Sequence, residues 1–171
     1  MKILATARLS LREMEERDAE FLVQLLNEPS FIANIGDRGV RTHADALAYM
    51  VKGPLASYAR NGYGLFIVER LEDGVPIGMC GLVRRDGLED TDIGFALRPE
   101  FWSQGFAIEA ATGVRDWALG KVGLTRLVAI VMPGNLPSIK VLERLAFRFE
   151  GLIRLTEDGD ELKLYAYGAD A

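Results

Sequence analysis

The period of the hydrophobic pattern changes several times along the chain, and this succession limits the possible folds more than any other feature. Apolar and polar residues alternate over residues 8–12, which predicts a strand with one buried face. From Glu15 to Pro29 apolar residues recur every three or four positions, which predicts an amphipathic helix. The chain therefore begins as a mixture of strand and helix.

The next segment predicts a loop and then a second helix. Two glycines and an Asn/Asp pair interrupt residues 34–39, which is typical of an irregular loop. Thr42 and Asp45 have the spacing of a capping box, which predicts a helix that runs through Leu55 and is broken or kinked at residues 53–54.

The second half of the chain predicts a strand meander followed by alternating helices and strands. Apolar runs separated by Asp-Gly turns predict strands at residues 64–70, 75–83 and 91–97. A 3.6-residue period then predicts a helix from Ala107. A strand, a short helix and two closing strands are predicted at residues 124–132, 138–145, 147–155 and 161–167. No linker or repeat divides the chain, so residues 1–171 are predicted to form a single domain.

Composition places the chain among globular proteins and excludes several classes of function. Of the 171 residues 49% are hydrophobic, and a chain of this length can bury a sufficient core without cross-links. Cys80 is the one cysteine, so neither an internal disulfide nor a Cys-rich zinc site can form; we expect no metal cofactor and a cytoplasmic location. No apolar run reaches the roughly 18 residues that a membrane span needs, so no membrane association is expected.

Charge excludes one class of partner and favours another. The net charge of −5 argues against a nucleic-acid-binding protein. Residues 121–155 nevertheless carry +4, and the rest of the chain carries −9. This separation suits a polyanionic cofactor at one part of the molecule and a cationic acceptor at another.

One succession of strand, turn and helix carries the chemical signal. The apolar residues 93–97 are followed by Trp102, Gly105 and Ala107 at the start of an alanine-rich helix. A helix N-terminus exposes several backbone N–H groups, and a glycine lets an anion approach them closely, so the turn predicts a pyrophosphate site. It matches neither a Walker A loop nor a dinucleotide-binding fingerprint, because the lysine and glycine spacings of those motifs are absent.

The segment from Pro99 to Trp102 reads Pro-Glu-Phe-Trp, and residues 105–110 read Gly-Phe-Ala-Ile-Glu-Ala. Residues 135–147 begin with Asn-Leu-Pro-Ser and end with Leu-Glu-Arg-Leu-Ala-Phe. With these motifs, residues 91–151 resemble the GNAT superfamily of acetyl-coenzyme A dependent N-acetyltransferases, and most of all its branch of ribosomal-protein N-terminal acetyltransferases, the RimJ/RimL type. That branch has Pro-Glu-x-Trp, Gly-Tyr-Ala-Thr-Glu-Ala and Asn-x-x-Ser…Leu-Glu-Lys-Leu-Gly-Phe at the corresponding positions. The resemblance implies an N-acetyltransferase enzyme that binds acetyl-CoA in a V between two strands. It also implies an α/β (α+β) fold, with a mixed, mostly antiparallel twisted sheet of about six or seven strands flanked by about four helices.

The resemblance further implies which residues contact the coenzyme. Pantetheine would pair like an extra strand with Ala96 and Leu97, and a backbone N–H near Leu97 would polarise the thioester carbonyl. Asn135 would hydrogen-bond the pantetheine, and Ser138 would lie near the coenzyme sulfur. The pyrophosphate would be bound by the backbone amides of Gln104, Gly105, Phe106, Ala107 and Ile108.

Three positions depart from the superfamily pattern. Trp102 stands at the first position of the Arg/Gln-x-x-Gly-x-Gly/Ala motif, as is usual in this branch, so coenzyme affinity should not suffer. Ala146 replaces the usual glycine before the final Phe, where we expect a small residue to suffice. Leu142 replaces the tyrosine with which many members protonate the leaving thiolate, and we expect Ser138 to take this role.

The implied reaction is direct attack of a neutral primary amine on the thioester, and it requires a group that takes a proton from the amine. Asp92 and Glu100 are the two candidates, because both lie close in sequence to the expected thioester. Asp37 and Arg38 are predicted to contact the acceptor, since the family places acceptor contacts in this loop. His43, the one histidine, is more typical of a solvated helix N-terminus than of a base.

These motifs leave the acceptor open. The resemblance to the RimJ/RimL branch favours the α-amine at the N-terminus of a protein or peptide. A small-molecule amine such as an aminoglycoside, a polyamine or an amino acid is the alternative. The missing tyrosine also makes a non-catalytic acyl-CoA-binding regulatory module conceivable, and the oligomeric state stays open between a monomer and a homodimer.

Overall fold

The computed structural model describes residues 1–169 and is built around one mixed sheet. The strands are β1 (Lys2–Ala5), β2 (Leu9–Arg12), β3 (Leu65–Arg70), β4 (Pro76–Val83), β5 (Asp92–Leu97), β6 (Arg126–Val131), β7 (Arg148–Ile153) and β8 (Leu162–Gly168). The α-helices are α1 (Ala19–Leu26), α2 (Pro29–Asn34), α3 (His43–Lys52), α4 (Pro54–Asn61), α5 (Phe106–Trp117) and α6 (Leu136–Arg144). The strand order is β1-β2-β3-β4-β5-β6-β8-β7, and each neighbouring pair is antiparallel except β5 with β6.

The predicted fold class is confirmed, although β1, α2 and α4 were missed. Pro29 ends the helical pattern of α1 and also occupies the first position of α2, where the missing N–H of a proline has no cost. Gly53 separates α3 from α4, which begins in the same way at Pro54. The predicted capping box of α3 is present, since Asp45 N–H donates to Thr42 Oγ1 and Thr42 N–H donates to Asp45 Oδ2, both at 3.1 Å.

Helices cover both faces of the sheet, because alternate residues of its central strands point in opposite directions. Phe66 of β3 and Cys80 of β4 belong to the core formed with α5 and α6. Ile67 and Met79 of the same strands belong to the core formed with α1 and α3. Cys80 is fully buried in the core. Within this described part of the chain, no helix is both long and apolar enough to cross a membrane.

Glu109, in the first turn of α5, forms hydrogen bonds that hold the connection between β1 and β2 against that helix. Its carboxylate accepts hydrogen bonds from Thr6 Oγ1, from Arg8 N–H at 2.8 Å and from Arg8 Nε at 2.7 Å. Arg8 Nη1 also donates to Gln104 O at 3.0 Å. These contacts fix the turn that precedes α5.

The two parallel strands, β5 and β6, pair at one end and then part. The ladder joins Asp92 to Val128, and Val128 N–H donates to Thr91 O at 3.0 Å. Beyond this point the edge of β5 that faces β6 has no strand partner within residues 1–169. The sheet therefore contains an opening between two of its central strands.

Candidate active site

The opening between β5 and β6 leads into a cleft of about 800 Å³, the outer cleft. Residues of α2, of α6 and of the N-terminal end of α5 form its other walls. Eight predicted coenzyme-binding residues line it, namely Ala96, Leu97, Gly105, Phe106, Ala107, Ile108, Asn135 and Ser138. Gln104 was predicted with them but is not among the lining residues, and its side chain donates to Glu100 O at 3.1 Å.

The N-terminus of α5 presents backbone donors to the outer cleft. Gly105 precedes the helix with a φ of +81°, a conformation that glycine adopts readily and other residues rarely adopt. The first helical hydrogen bond runs from Glu109 N–H to Gly105 O at 3.0 Å, so the N–H groups of Phe106, Ala107 and Ile108 have no helical acceptor. These donors and the helix dipole suit this end of the cleft to an anion.

Two cations of α6 form part of another wall of the outer cleft. Lys140 and Arg144 line it, together with the carboxylate-bearing Glu143. Both cations belong to the basic segment 121–155. Arg126 of the same segment is held in two ion pairs outside the cleft. Two of the positive charges of this basic segment therefore lie at the outer cleft.

The open edge of β5 presents the backbone groups of Phe95 and Leu97. Consecutive strand residues direct their N–H and C=O groups to opposite sides. Arg98 N–H donates to Ile77 O of β4 at 2.9 Å, so the backbone groups of Ala96 also face β4 while those of Phe95 and Leu97 face the opening. The prediction for Ala96 is corrected here: it lines the cleft, but Phe95 takes its place as the residue whose backbone can pair with an extended ligand.

Trp102 lies beside the open edge of β5 and donates a hydrogen bond to one of the carbonyl oxygens of that edge. Its indole Nε1 donates to Leu97 O at 2.9 Å, and its ring, 46% exposed, lines the outer cleft. The Leu97 N–H remains directed at the opening. Trp102 therefore both closes the turn after β5 and forms part of the cleft wall.

A smaller cavity of about 420 Å³, the inner cavity, continues from the outer cleft. The two spaces share the lining residues Phe31, Asn34, Ile35, Phe95, Ala96, Asn135 and Ser138. A ligand extending along β5 from the anion-binding end would therefore bring its far end to the junction of the two spaces.

Ser138 lies at this junction, in the first turn of α6. Asn135 Oδ1 accepts a hydrogen bond from Ser138 N–H at 3.4 Å, so Asn135 caps the helix and leaves the serine hydroxyl out of the capping interaction. Within residues 1–169 the Ser138 hydroxyl makes no hydrogen bond. Ser138 thus lines both spaces, with a hydroxyl that forms no hydrogen bond to the described residues.

Asp92 lines the inner cavity at the end of β5 where the parallel ladder holds. The residue is 1% exposed, and its carboxylate forms an ion pair with Arg85. Burial raises the pKa of the Asp92 carboxyl to about 6, and the positive charge of Arg85 opposes this rise. A carboxyl with such a pKa is ionised at neutral pH and is more basic than an ordinary aspartate, as a proton acceptor should be.

Two other predicted site residues, Glu100 and Asp37, form ion pairs and line neither the outer cleft nor the inner cavity. Glu100 follows β5, and its exposed carboxylate pairs with Arg98 at 2.9 Å. Asp37 pairs with Arg41 at 2.6 Å and accepts a hydrogen bond from Gly39 N–H at 2.8 Å. The hydrogen bonds from Arg41 lower the pKa of Asp37 to about 2. The structure therefore gives no support to Glu100 as a base or to Asp37 as an acceptor contact.

Of the remaining candidate residues, Arg38 lies at the inner cavity and His43 lies at the surface. Arg38 lines the inner cavity. His43 is exposed at the N-terminus of α3 and lines neither space, which agrees with a solvated position. Sequence reasoning missed Tyr49 of α3 and Arg85, which also line the inner cavity. No local pattern marks them, because only the packing of α3 and of the segment after β4 brings them there.

The structure shows the surroundings of two residues that depart from the superfamily pattern, Leu142 and Ala146. Leu142 is buried and lines the inner cavity, so the position at which many members carry a tyrosine does face the site. Ala146 follows α6 with a φ of +66°. The expectation that a small residue suffices there is corrected, because the left-handed backbone at a helix C-terminus favours glycine for its conformation and not only for its size.

Comparisons with known proteins agree with this geometry. Residues 8–148 match the family described as acetyltransferase (GNAT) domain. The uncharacterized N-acetyltransferase p20 of Bacillus licheniformis is 34% identical over 157 residues, which are 90% of this chain and 86% of that protein.

Two solved structures share the fold over nearly the whole chain. The acetyltransferase from Agrobacterium tumefaciens str. C58 superimposes with a TM-score of 0.83 at 27% identity, covering 99% of this chain and 95% of that one. RimL, a ribosomal L7/L12 alpha-N-protein acetyltransferase in complex with coenzyme A, superimposes with a TM-score of 0.84 at 19% identity, covering 98% of each chain. By sequence and by fold, the chain belongs to the GNAT family of N-acetyltransferases.

Proposed function

We propose that the protein transfers the acetyl group of acetyl-CoA to a primary amine, foremost the α-amine at the N-terminus of a protein or peptide. The observation that carries this proposal is the continuity of the two spaces. An anion-binding cleft with an open strand edge leads into a cavity that holds a buried carboxylate, and Ser138 lies where they join. A donor and an acceptor entering from the two spaces would meet at that serine.

The coenzyme would occupy the outer cleft. The N–H groups from Gly105 to Ile108 would bind its pyrophosphate, with Lys140 and Arg144 adding positive charge. Its pantetheine would pair with the backbone of Phe95 and Leu97 in the manner of an added strand. This arrangement would direct the thioester to the junction.

The residues at the junction supply the proton transfers that the reaction needs. Asp92 takes a proton from the amine, directly or through a water molecule, and the nitrogen then attacks the thioester carbon. The Phe95 N–H, which faces the opening at the junction, polarises the carbonyl as charge develops on its oxygen, in place of the Leu97 N–H expected from the sequence, since Leu97 lines only the outer cleft. The bond between carbon and sulfur breaks, the departing thiolate takes the proton of the Ser138 hydroxyl, and the Ser138 oxygen takes the second proton that the attacking nitrogen still carries.

Two acceptor classes are compatible with the site. RimL, which shares the fold, is named for acetylating the α-amine of a protein, and this supports a peptide N-terminus. The inner cavity of about 420 Å³ lies in the range of small-ligand pockets, and this supports a small-molecule amine as the second candidate.

A binding measurement followed by a turnover measurement tests the proposal. Acetyl-CoA and CoA should each raise the melting temperature, because a ligand that binds the native state stabilises it. Release of the CoA thiol is then measured with a panel of N-terminal peptides and a panel of small amines. Absence of stabilisation at saturating coenzyme would refute the proposed donor, whereas stabilisation without thiol release on either panel would indicate a non-catalytic binding module.

A further inference from the structure

Four charged side chains from the described residues line the inner cavity, and two of them have no ionic partner among those residues. Arg85 and Asp92 form the ion pair described above, in which Asp92 is buried and Arg85 is partly exposed. Arg38, from the loop that follows α2, and Asp160, from the loop that precedes β8, also line the cavity. Neither of these two side chains makes an ion pair or a hydrogen bond within residues 1–169. The cavity therefore offers one free positive and one free negative charge.

The positive charge is concentrated near Tyr49. Burial raises the pKa of this phenol, and the guanidinium groups of Arg38 and Arg85 both oppose the rise. Both cations therefore act on one part of the cavity. Because the charge of Arg85 is already balanced by Asp92, the positive charge left for a ligand is that of Arg38.

We propose that the amine acceptor carries a carboxylate, which binds to Arg38 while the amine faces the junction with the outer cleft. A guanidinium suits this group, because its planar donors match the two oxygens of a carboxylate. Asp160 complements the protonated amine of the incoming acceptor, before Asp92 removes its proton. The inference rests on the proposed acetyl transfer and defines its substrate class as an amine with an anionic group a few bonds away.

Such a carboxylate has two sources, and matched acceptors separate them. It is the C-terminal carboxylate of an amino acid or dipeptide, or it is an Asp or Glu side chain near the N-terminus of a longer peptide. Dipeptides are compared as free acids and as amides, and peptide amides are compared with Glu or Gln as the second residue. Within each pair the amine is the same and one negative charge is removed.

The experiment measures kcat/KM for CoA release with each pair, for wild type and for Arg38→Gln. The wild type should prefer the charged member of at least one pair by roughly tenfold, mainly through KM, as expected for one partly exposed charge-assisted contact. Arg38→Gln should abolish that preference by lowering kcat/KM for the charged member to about the value for the uncharged member. Arg60→Gln is the matched control, since Arg60 is exposed at the end of α4 and lines neither space. Arg38→Glu should reverse the preference.

The outcomes distinguish this inference from the proposed function. Equal kcat/KM within every pair, or a preference that survives in Arg38→Gln, overturns the inference and leaves acetyl transfer standing. Absence of CoA release from every acceptor, charged or uncharged, overturns the proposed function and the inference with it. Coenzyme stabilisation of each variant is measured in parallel, so that a loss of folding or of donor binding is recognised.

Discussion

Asp92, which is buried, forms an ion pair in the inner cavity with the partly exposed Arg85, at the point where β5 and β6 are still joined. Burial favours the protonated carboxyl, and the guanidinium favours the ionised one. The resulting pKa of about 6 keeps Asp92 ionised at neutral pH and able to accept a proton. The rate of a reaction that uses Asp92 as its base should therefore change with pH near 6.

The first prediction concerns that pH dependence. Below pH 6 Asp92 becomes protonated and cannot accept the proton of the amine, so kcat/KM should fall as the pH drops through about 6. A peptide α-amine titrates at about 8 and enters in its protonated form, so log kcat/KM should rise with a slope of about one up to pH 6, stay level between these values and fall with a slope of about one above the higher one. A profile governed by the amine alone would contradict the assignment.

Asp92→Asn should remove the proton-accepting carboxylate and leave the coenzyme site unchanged. The variant should lose about 10²- to 10⁴-fold in kcat, the usual contribution of a general base, and should lose the acidic limb of the profile near pH 6. Its affinity for acetyl-CoA should stay unchanged, as measured by calorimetry. Glu100→Gln is the matched control and should react at the wild-type rate, because Glu100 lies outside both spaces.

Ser138→Ala should lower kcat by about 10²-fold if the hydroxyl protonates the leaving thiolate, and it should change acetyl-CoA affinity little. The substitution keeps the Ser138 backbone N–H that Asn135 caps, so α6 should remain intact. Stopped-flow measurement of thiol release under single turnover reports the chemical step. An unchanged single-turnover rate would remove Ser138 from the mechanism.

Gly105→Glu should abolish coenzyme binding, because it introduces a carboxylate where the anion-binding N–H groups converge. The position has a positive φ, so part of the effect is backbone strain. Gly62→Glu measures that strain alone, since Gly62 ends α4 with a φ of +77° and has open space where a Cβ would lie. Calorimetric titration with CoA should show binding to the Gly62 variant and none to the Gly105 variant, and CoA binding by Gly105→Glu would place the pyrophosphate elsewhere.

Ala146→Gly should stabilise the protein. The φ of +66° costs an alanine about 1 kcal/mol, and glycine adopts this conformation without that strain. The melting temperature should rise by about 2 °C in a chain of this size. Ala56→Gly, in the interior of α4, should change stability in the opposite direction by about 0.5–1 kcal/mol. A decrease in both variants would show that the left-handed conformation at residue 146 is not strained.

Much of the fold follows from local patterns. The period of the β3 to β5 meander, the capping box at Thr42 and the helix after Gly105 each reflect interactions between residues a few positions apart, and the structure contains all of them. The missed helices α2 and α4 each begin at a proline. The same prolines end the preceding helical pattern, so we interpreted them as helix ends and did not recognise that a new helix begins there.

The sequence by itself determined the fold class, the order of the strands and helices other than β1, α2 and α4, the turn at Gly105 and, through its motifs, the family. Only the tertiary structure decided which carboxylate is available as a base. Asp92 and Glu100 are equivalent in sequence, but Asp92 is buried beside Arg85 and Glu100 pairs with Arg98 at the surface. The physical reason is that burial and ion pairing depend on segments distant along the chain. No local pattern reports the dielectric surroundings or the partner that sets a carboxyl's pKa.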